Sequence, residues 1–218
     1  MIYSPERGYL FIHIPKTGGT SLALALEARA KPGDVMAGDT PKAVKRRRRL
    51  KTLPARGRLW KHSTLRDLDG WLSPADLERL YIFTIVRNPW DRLVSYYHWL
   101  RVQSFDHPAV GLARDLSFAE FVAHPHTEAS FKAATYASYV TDIQGRERCQ
   151  RFLRMENLAA DSAALGADLG IRLDLSHVNR SERGADYRDY FPESARQPVE
   201  KLVSEDAERF GYAFDGEF

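Results

Sequence analysis

The 218-residue chain carries 44% hydrophobic side chains and a formal charge of +3, enough apolar material to bury a full core in a single domain spanning 1–218. Its one cysteine, Cys149, excludes an internal disulfide and any multi-cysteine metal site, and no apolar run approaches the roughly 18 residues of a membrane span. The first residues lack the basic-then-apolar order of a signal peptide, so the expected compartment is the reducing cytoplasm, although a luminal domain cut from its anchor would read the same way. Charge is local: Lys42 to Lys51 holds seven basic and no acidic side chains, and the remaining 25 basic against 29 acidic residues net −4. A global nucleic-acid signature is therefore not expected.

Tyr9 to Ile14 is an aromatic and β-branched run closed by Pro15, the pattern of a buried strand. It leads into P-K-T-G-G-T-S. Gly18 and Gly19 allow the backbone to turn at positive φ and come close to a ligand, so that N–H groups opening the next helix can point at phosphate or sulfate oxygens. Lys16 adds a mobile charge, and Thr17, Thr20 and Ser21 add donors. The loop departs from a Walker A motif, because Lys16 precedes the glycine pair rather than following it. Thr20 to about Ala30 reads as the first helix, stopped by Lys31-Pro32-Gly33. Residues 32–58 look like a long excursion from the core.

Tyr81 to Val86 is the second clear strand, almost wholly apolar as a parallel strand covered on both faces should be. After Arg87, Asn88 suits an N-cap, Pro89 a first helical position and Asp91 a capping acid. Leu93, Tyr96, Tyr97 and Leu100 form the apolar stripe of that helix, while Ser95 lies on its polar stripe with Asn88, Asp91 and Arg92. Phe118 to His124 reads as helix, Arg151 to Met155 as strand, Leu158 to Leu169 as helix, and Pro192 to Phe210 as a closing helix ended by Gly211. Strand, loop and helix in repeated order indicate a doubly wound, mainly parallel α/β sheet.

In such sheets ligands bind off the carboxyl ends of the strands. The Lys16–Ser21 loop is expected there, and so are Arg87 and Ser95, which together would hold a second phosphate. A ligand with two separated anionic groups is implied.

P-K-T-G-G-T-S after F-I-H-I, then V-R-N-P-W-D-R-L-V-S-Y-Y, R-M-E-N-L and H-V-N-R-S, with a late Asp206 and F-G-Y, resembles the carbohydrate-type sulfotransferases that use 3′-phosphoadenosine 5′-phosphosulfate (PAPS). The resemblance runs from Phe11 to Phe214. It implies a P-loop kinase-like fold, PAPS as donor and 3′-phosphoadenosine 5′-phosphate (PAP) as product without a required metal. It further implies that Lys16, Thr17, Gly18, Gly19, Thr20 and Ser21 hold the 5′-phosphosulfate and that Arg87 and Ser95 hold the 3′-phosphate. Arg180 and Ser181, after Val178-Asn179, fit two readings, closure over the nucleotide from a late loop or a plain surface position.

Sulfuryl transfer needs an in-line acceptor oxygen, charge stabilisation on the leaving phosphate, and a base for the acceptor proton. Lys16 fits the second task. His62, in R-L-W-K-H-S-T-L between the two motifs, is the candidate base. His13, alternating within an apolar strand, reads as a satisfied core residue, and the H-P-H at His124 and His126 lacks the company of a metal site.

The expected partner is a hydroxyl-bearing acceptor, in the first instance a carbohydrate, with no nucleic acid. Two other function classes fit parts of the pattern. A P-loop kinase of small substrates shares the cradle, but Lys16 is misplaced for it and no magnesium-binding Asp follows an apolar strand. A noncatalytic polyanion binder would use Lys42 to Lys51 and leave both strand-end sites without a purpose.

Overall fold

The computed structural model describes residues 1–175 and 186–216; Arg180 and Ser181 lie outside them. The strands are β1 Ile2–Ser4, β2 Tyr9–Phe11, β3 Val35–Met36, β4 Tyr81–Val86 and β5 Arg151–Arg154. The helices are α1 Gly19–Ala28, α2 Pro41–Arg46, α3 Pro74–Arg79, α4 Pro89–Arg101, α5 Pro108–Asp115, α6 Phe118–Ala123, α7 Pro125–Ala133, α8 Tyr136–Val140, α9 Leu158–Asp168 and α10 Glu193–Phe210. Backbone contacts divide the chain into two units, one of 1–86 and 136–179, the other of 87–135 and 180–218. Among the described residues no helix is long and apolar enough to cross a membrane.

The first unit contains the whole sheet, in the order β3-β1-β2-β4-β5. Its centre is parallel, as expected: β2 pairs with β4 in the register Phe11↔Phe83, and β4 with β5 in the register Ile85↔Leu153. The flank is antiparallel, with β1 pairing β2 and β3 pairing β1. Between β1 and β2 the chain reverses at Gly8, whose φ of 66° suits glycine. The ladder of β2 stops at Phe11, three residues short of the expected Ile14, because the Thr84 hydroxyl donates to the Ile12 carbonyl at 2.7 Å and replaces a backbone partner.

Leu22 and Leu26 of α1 and Leu165 of α9 cluster with Tyr9, Phe11, Phe83, Ile85 and Leu153 on one sheet face. Leu10, Ile12, Ile82 and Val86, which alternate with those strand residues, are fully buried too. Burial on both faces is why these strands read as unbroken apolar runs rather than as alternating ones.

The second unit is helical in its described residues. Tyr97 of α4 meets Phe118 and Phe121 of α6 at ring distances of 5.4 and 5.2 Å. Buried Arg92 and Asp206 approach to 3.9 Å between α4 and α10. Gly211 ends α10 at φ 64°, the left-handed cap its position suggested.

The excursion after α1 is built onto that helix. Glu27, 5% exposed, accepts from the Thr40 hydroxyl at 2.5 Å and from the Ala43 amide at 3.1 Å, so a carboxylate seals the amino end of α2. Glu27→Ala would leave both donors without an acceptor, and should lower unfolding stability by about 2 kcal/mol, with Glu27→Gln losing less. Urea midpoints measure the difference; an Ala variant as stable as the parent would show that this carboxylate does not hold the segment.

Candidate active site

Beyond the carboxyl end of β2 the chain makes a turn at the glycine pair, as expected, and Lys16 takes part in it unforeseen. Lys16 adopts φ 67°, the only left-handed non-glycine among the described residues, and Gly18 follows at φ 77° as the N-cap of α1. A lysine held in that region costs about 1 kcal/mol or more and persists only where its surroundings fix it. Glycine offers no capping side chain, and the first turn of α1 holds no acid. The backbone N–H groups of that turn therefore present partial positive charge to an incoming anion. Thr20 and Ser21 are half-buried in this turn, whereas Thr17 is buried with its hydroxyl turned back to the Ile14 carbonyl at 2.9 Å. Thr17 is left with its backbone N–H.

The two glycines are required for different reasons. A Cβ on Gly18 would meet the Met155 sulfur at 3.2 Å, a flexible neighbour, but the left-handed φ itself favours glycine. Gly19 has no such φ. A Cβ there would lie 2.5 Å from Cδ2 of the buried His13 ring, so glycine is needed for close approach. His13 is therefore more than a core filler, since it floors the turn.

The carbonyl of His13 faces Nδ1 of His62 at 2.7 Å, and the two rings meet edge to face at 4.9 Å. A carbonyl only accepts, so Nδ1 must donate its hydrogen, and Nε2 is left with the lone pair. Burial drives the His62 pKa down to about 4, against the opposing pull of the His13 carbonyl and with the charge of Lys61 adding to the fall. Burial, reinforced by the neighbouring His62, Lys61 and Lys16, likewise holds His13 well below the usual imidazole range. Both rings are neutral near pH 7.

Lys61 is a residue that motif reading missed. Its ammonium lies 2.8 Å from Asp39 and 3.5 Å from the Thr20 hydroxyl, bringing a second cation to the first turn of α1. Burial pushes the Asp39 carboxyl up, but the hydrogen bond and charge of Lys61 outweigh it and hold Asp39 below its usual value. The sequence signal was adjacency: Lys61 directly precedes the candidate base. Met155, from the R-M-E-N-L segment, is the other omission, and it covers Gly18.

In the second unit Arg87 is buried and donates through Nε to Asp91 at 2.7 Å, with a second guanidinium nitrogen 2.5 Å from the same carboxylate oxygen. Asn88 caps α4 as expected, accepting from the Trp90 and Asp91 amides at 3.0 and 3.2 Å. Its amide nitrogen also donates to the Tyr187 hydroxyl at 3.0 Å. Ser95 is buried two turns into α4. Asp91 thus serves Arg87 as an orienting partner, where the sequence suggested a capping acid.

Residues 1–213 match the family model described as the sulfotransferase family. The chain belongs to the sulfotransferase family. Its fold is similar to that in the crystal structure of mouse sulfotransferase SULT7A1 complexed with PAP, with a TM-score of 0.52 and 18% identity over 92% of this chain and 84% of that one. A search of curated proteins found no match.

For this sulfotransferase, Gly19→Ala should destabilise by about 2 kcal/mol, because the pinned ring of His13 has to move. That corresponds to roughly 4–8 °C in thermal midpoint for a chain of this size. Gly18→Ala displaces only a flexible thioether, and its cost, about 1 kcal/mol or more, comes instead from the left-handed φ; a Gly19→Ala variant as stable as the parent would contradict the packing argument.

Acid should also weaken the fold. The folded pKa of His62 lies below its unperturbed 6.5, so the unfolded chain takes the proton first. Stability is full above about pH 6.5 and falls as pH drops toward about 4, with His13 acting in the same direction. Urea midpoints between pH 7 and 4.5 should fall less steeply in His62→Ala than in the parent.

Proposed function

We propose that the chain transfers a sulfuryl group from PAPS to a hydroxyl of a carbohydrate acceptor, releasing PAP, with His62 as the base. The observation that carries this reading is the chain of contacts from the Lys16–Gly19 turn through the His13 ring to His62, which sets a lone pair beside an anion cradle. Family membership and the PAP named with the mouse sulfotransferase support the choice of donor.

Lys16 and the amino end of α1 receive the 5′-phosphosulfate, with Thr17, Gly18 and Gly19 contributing backbone N–H groups and Thr20 and Ser21 their hydroxyls. Arg87, oriented by Asp91, and Ser95 are assigned to the 3′-phosphate, and Arg180 to the same nucleotide. PAPS, when bound, supplies an activated sulfuryl group on a good leaving phosphate. Nε2 of His62 takes the proton of the acceptor hydroxyl as its oxygen bonds to sulfur and the bond from sulfur to the phosphate oxygen breaks. Lys16 stabilises the charge that the departing phosphate gains, and the proton passes from His62 to water.

The carbohydrate choice rests on the aromatic surface beside the base: the Trp60 ring is 43% exposed, stands edge to face with His62 at 5.1 Å and carries the Arg58 guanidinium 5.6 Å from its centroid, an aromatic surface with a polar donor of the kind a sugar ring and its hydroxyls can use.

His62→Ala should lower kcat at least 100-fold while the Kd for PAP stays within about twofold of the parent. Full activity in that variant would reject the base assignment. The donor is tested separately by thermal shift with PAP, ATP and ADP, where a selective rise with PAP is expected. Transfer from labelled ATP with magnesium, and none from labelled PAPS, would replace this reading with that of a kinase.

A further inference from the structure

Met155 stands at the same sheet edge as the Lys16–Ser21 turn. Strands β2, β4 and β5 run parallel, so the carboxyl end of β5 opens on the side where that of β2 does, with β4 between them. Directly after β5 the chain makes a 3-10 turn over Met155–Asn157. Asp161 holds this turn from both sides, accepting from the Arg154 amide at 2.6 Å and from the Asn157 side chain at 3.0 Å. The thioether is thereby laid over the glycine turn, and its sulfur, Cγ and Cε stand 3.2, 3.3 and 3.4 Å from the point a Gly18 Cβ would occupy.

The backbone next to that sulfur lacks acceptors. Ser21 donates to the Gly18 carbonyl at 3.3 Å, but among the described residues the N–H groups of Gly18, Gly19 and Thr20 find no acceptor. A thioether accepts hydrogen bonds only weakly and leaves these donors to an incoming anion. Oxidation changes that character, because methionine sulfoxide is polar where methionine is apolar. The chain has three methionines. Met1 and Met36 are 1% exposed within the core, whereas Met155 is half-buried, so a small oxidant in solution reaches Met155 first.

We propose that Met155 is an oxidation-sensitive modification site whose sulfoxide closes the anion cradle to the donor nucleotide. The effect on the donor rests on the reading of the Lys16–Ser21 turn as the seat of the 5′-phosphosulfate; the contact between sulfoxide and turn does not. The oxidant is hydrogen peroxide. One of its oxygens bonds to sulfur as the O–O bond breaks, sulfur gives up two electrons to the peroxide, and the other oxygen leaves as water. The new oxygen carries partial negative charge one bond from the sulfur, and the partial positive charge at the amino end of α1 attracts it. It accepts from the N–H groups that the phosphosulfate would otherwise use. Enzymatic reduction of the sulfoxide returns the thioether and reopens the cradle.

The test uses the full chain carrying Cys149→Ser, so that its single thiol takes no part, with and without Met155→Leu. Each protein is read against itself before and after mild hydrogen peroxide. Peptide mass spectrometry should place added oxygen on Met155 before Met1 or Met36. The Kd for PAP should then rise about tenfold or more where Met155 is present and hold within about twofold in Met155→Leu, and the stereospecific methionine sulfoxide reductases together should restore it. Saturating PAP should slow oxidation of Met155. The proposal is overturned by an unchanged Kd once Met155 is fully converted, by equal losses in both proteins, by oxidation of Met1 or Met36 first, by oxidation that PAP does not slow, or by a loss of PAP binding that comes with loss of the folded circular dichroism signal. Should PAP fail to bind even before peroxide, the donor reading falls and amide exchange at Gly18, Gly19 and Thr20 decides the contact. Slower exchange after peroxide only where Met155 is present supports it; unaltered exchange overturns it.

Discussion

The contact between the His13 ring and Gly19 is the constraint on which the site depends. Because Gly19 lacks a Cβ, a buried imidazole lies directly under the turn that opens α1. The same residue then offers its carbonyl to Nδ1 of His62. One strand-end residue thus supports the candidate anion cradle with its side chain and fixes the tautomer of the candidate base with its backbone. Any change that lifts the turn moves both. Geometry of this kind has to be held within a fraction of an ångström to be useful, and a buried ring against a glycine is stiff enough to hold it.

Much of this was legible along the chain. The apolar run Tyr81 to Val86, the Asn88-Pro89 helix start and the glycine stop at Gly211 are local signals, and each appears where its residues place it. The turn after β2 was visible for the same reason. The flanking strands Ile2–Ser4 and Val35–Met36 were not, since three and two residues give no period to read, and each exists only because the edge of β2 or β1 supplies its partner. Charge runs were likewise ambiguous: that Arg46 and Arg49 cap carbonyls 12 to 17 residues earlier is a tertiary fact with no sequence pattern. Lys61 belongs to this class, for its neighbours Asp39 and Thr20 come from other segments.

The electrostatics of the first unit explain why two histidines can sit so near two lysines. Burial removes the proton from each imidazole, so the positive potential at the amino end of α1 comes from Lys16, from Lys61 as balanced by Asp39, and from the helix itself. A neutral imidazole of pKa about 4 is nevertheless a feeble base. On the proposed reaction its strength depends on what occupies the cradle. An anion placed against the first turn of α1 offsets the charge of Lys61 that helps to depress His62, and it favours the protonated ring by direct attraction. The pKa of His62 then rises toward the range in which it accepts a hydroxyl proton efficiently. On that proposal donor binding and base strength are coupled through the same few ångströms of structure, so the candidate base gains strength where the leaving group is already held.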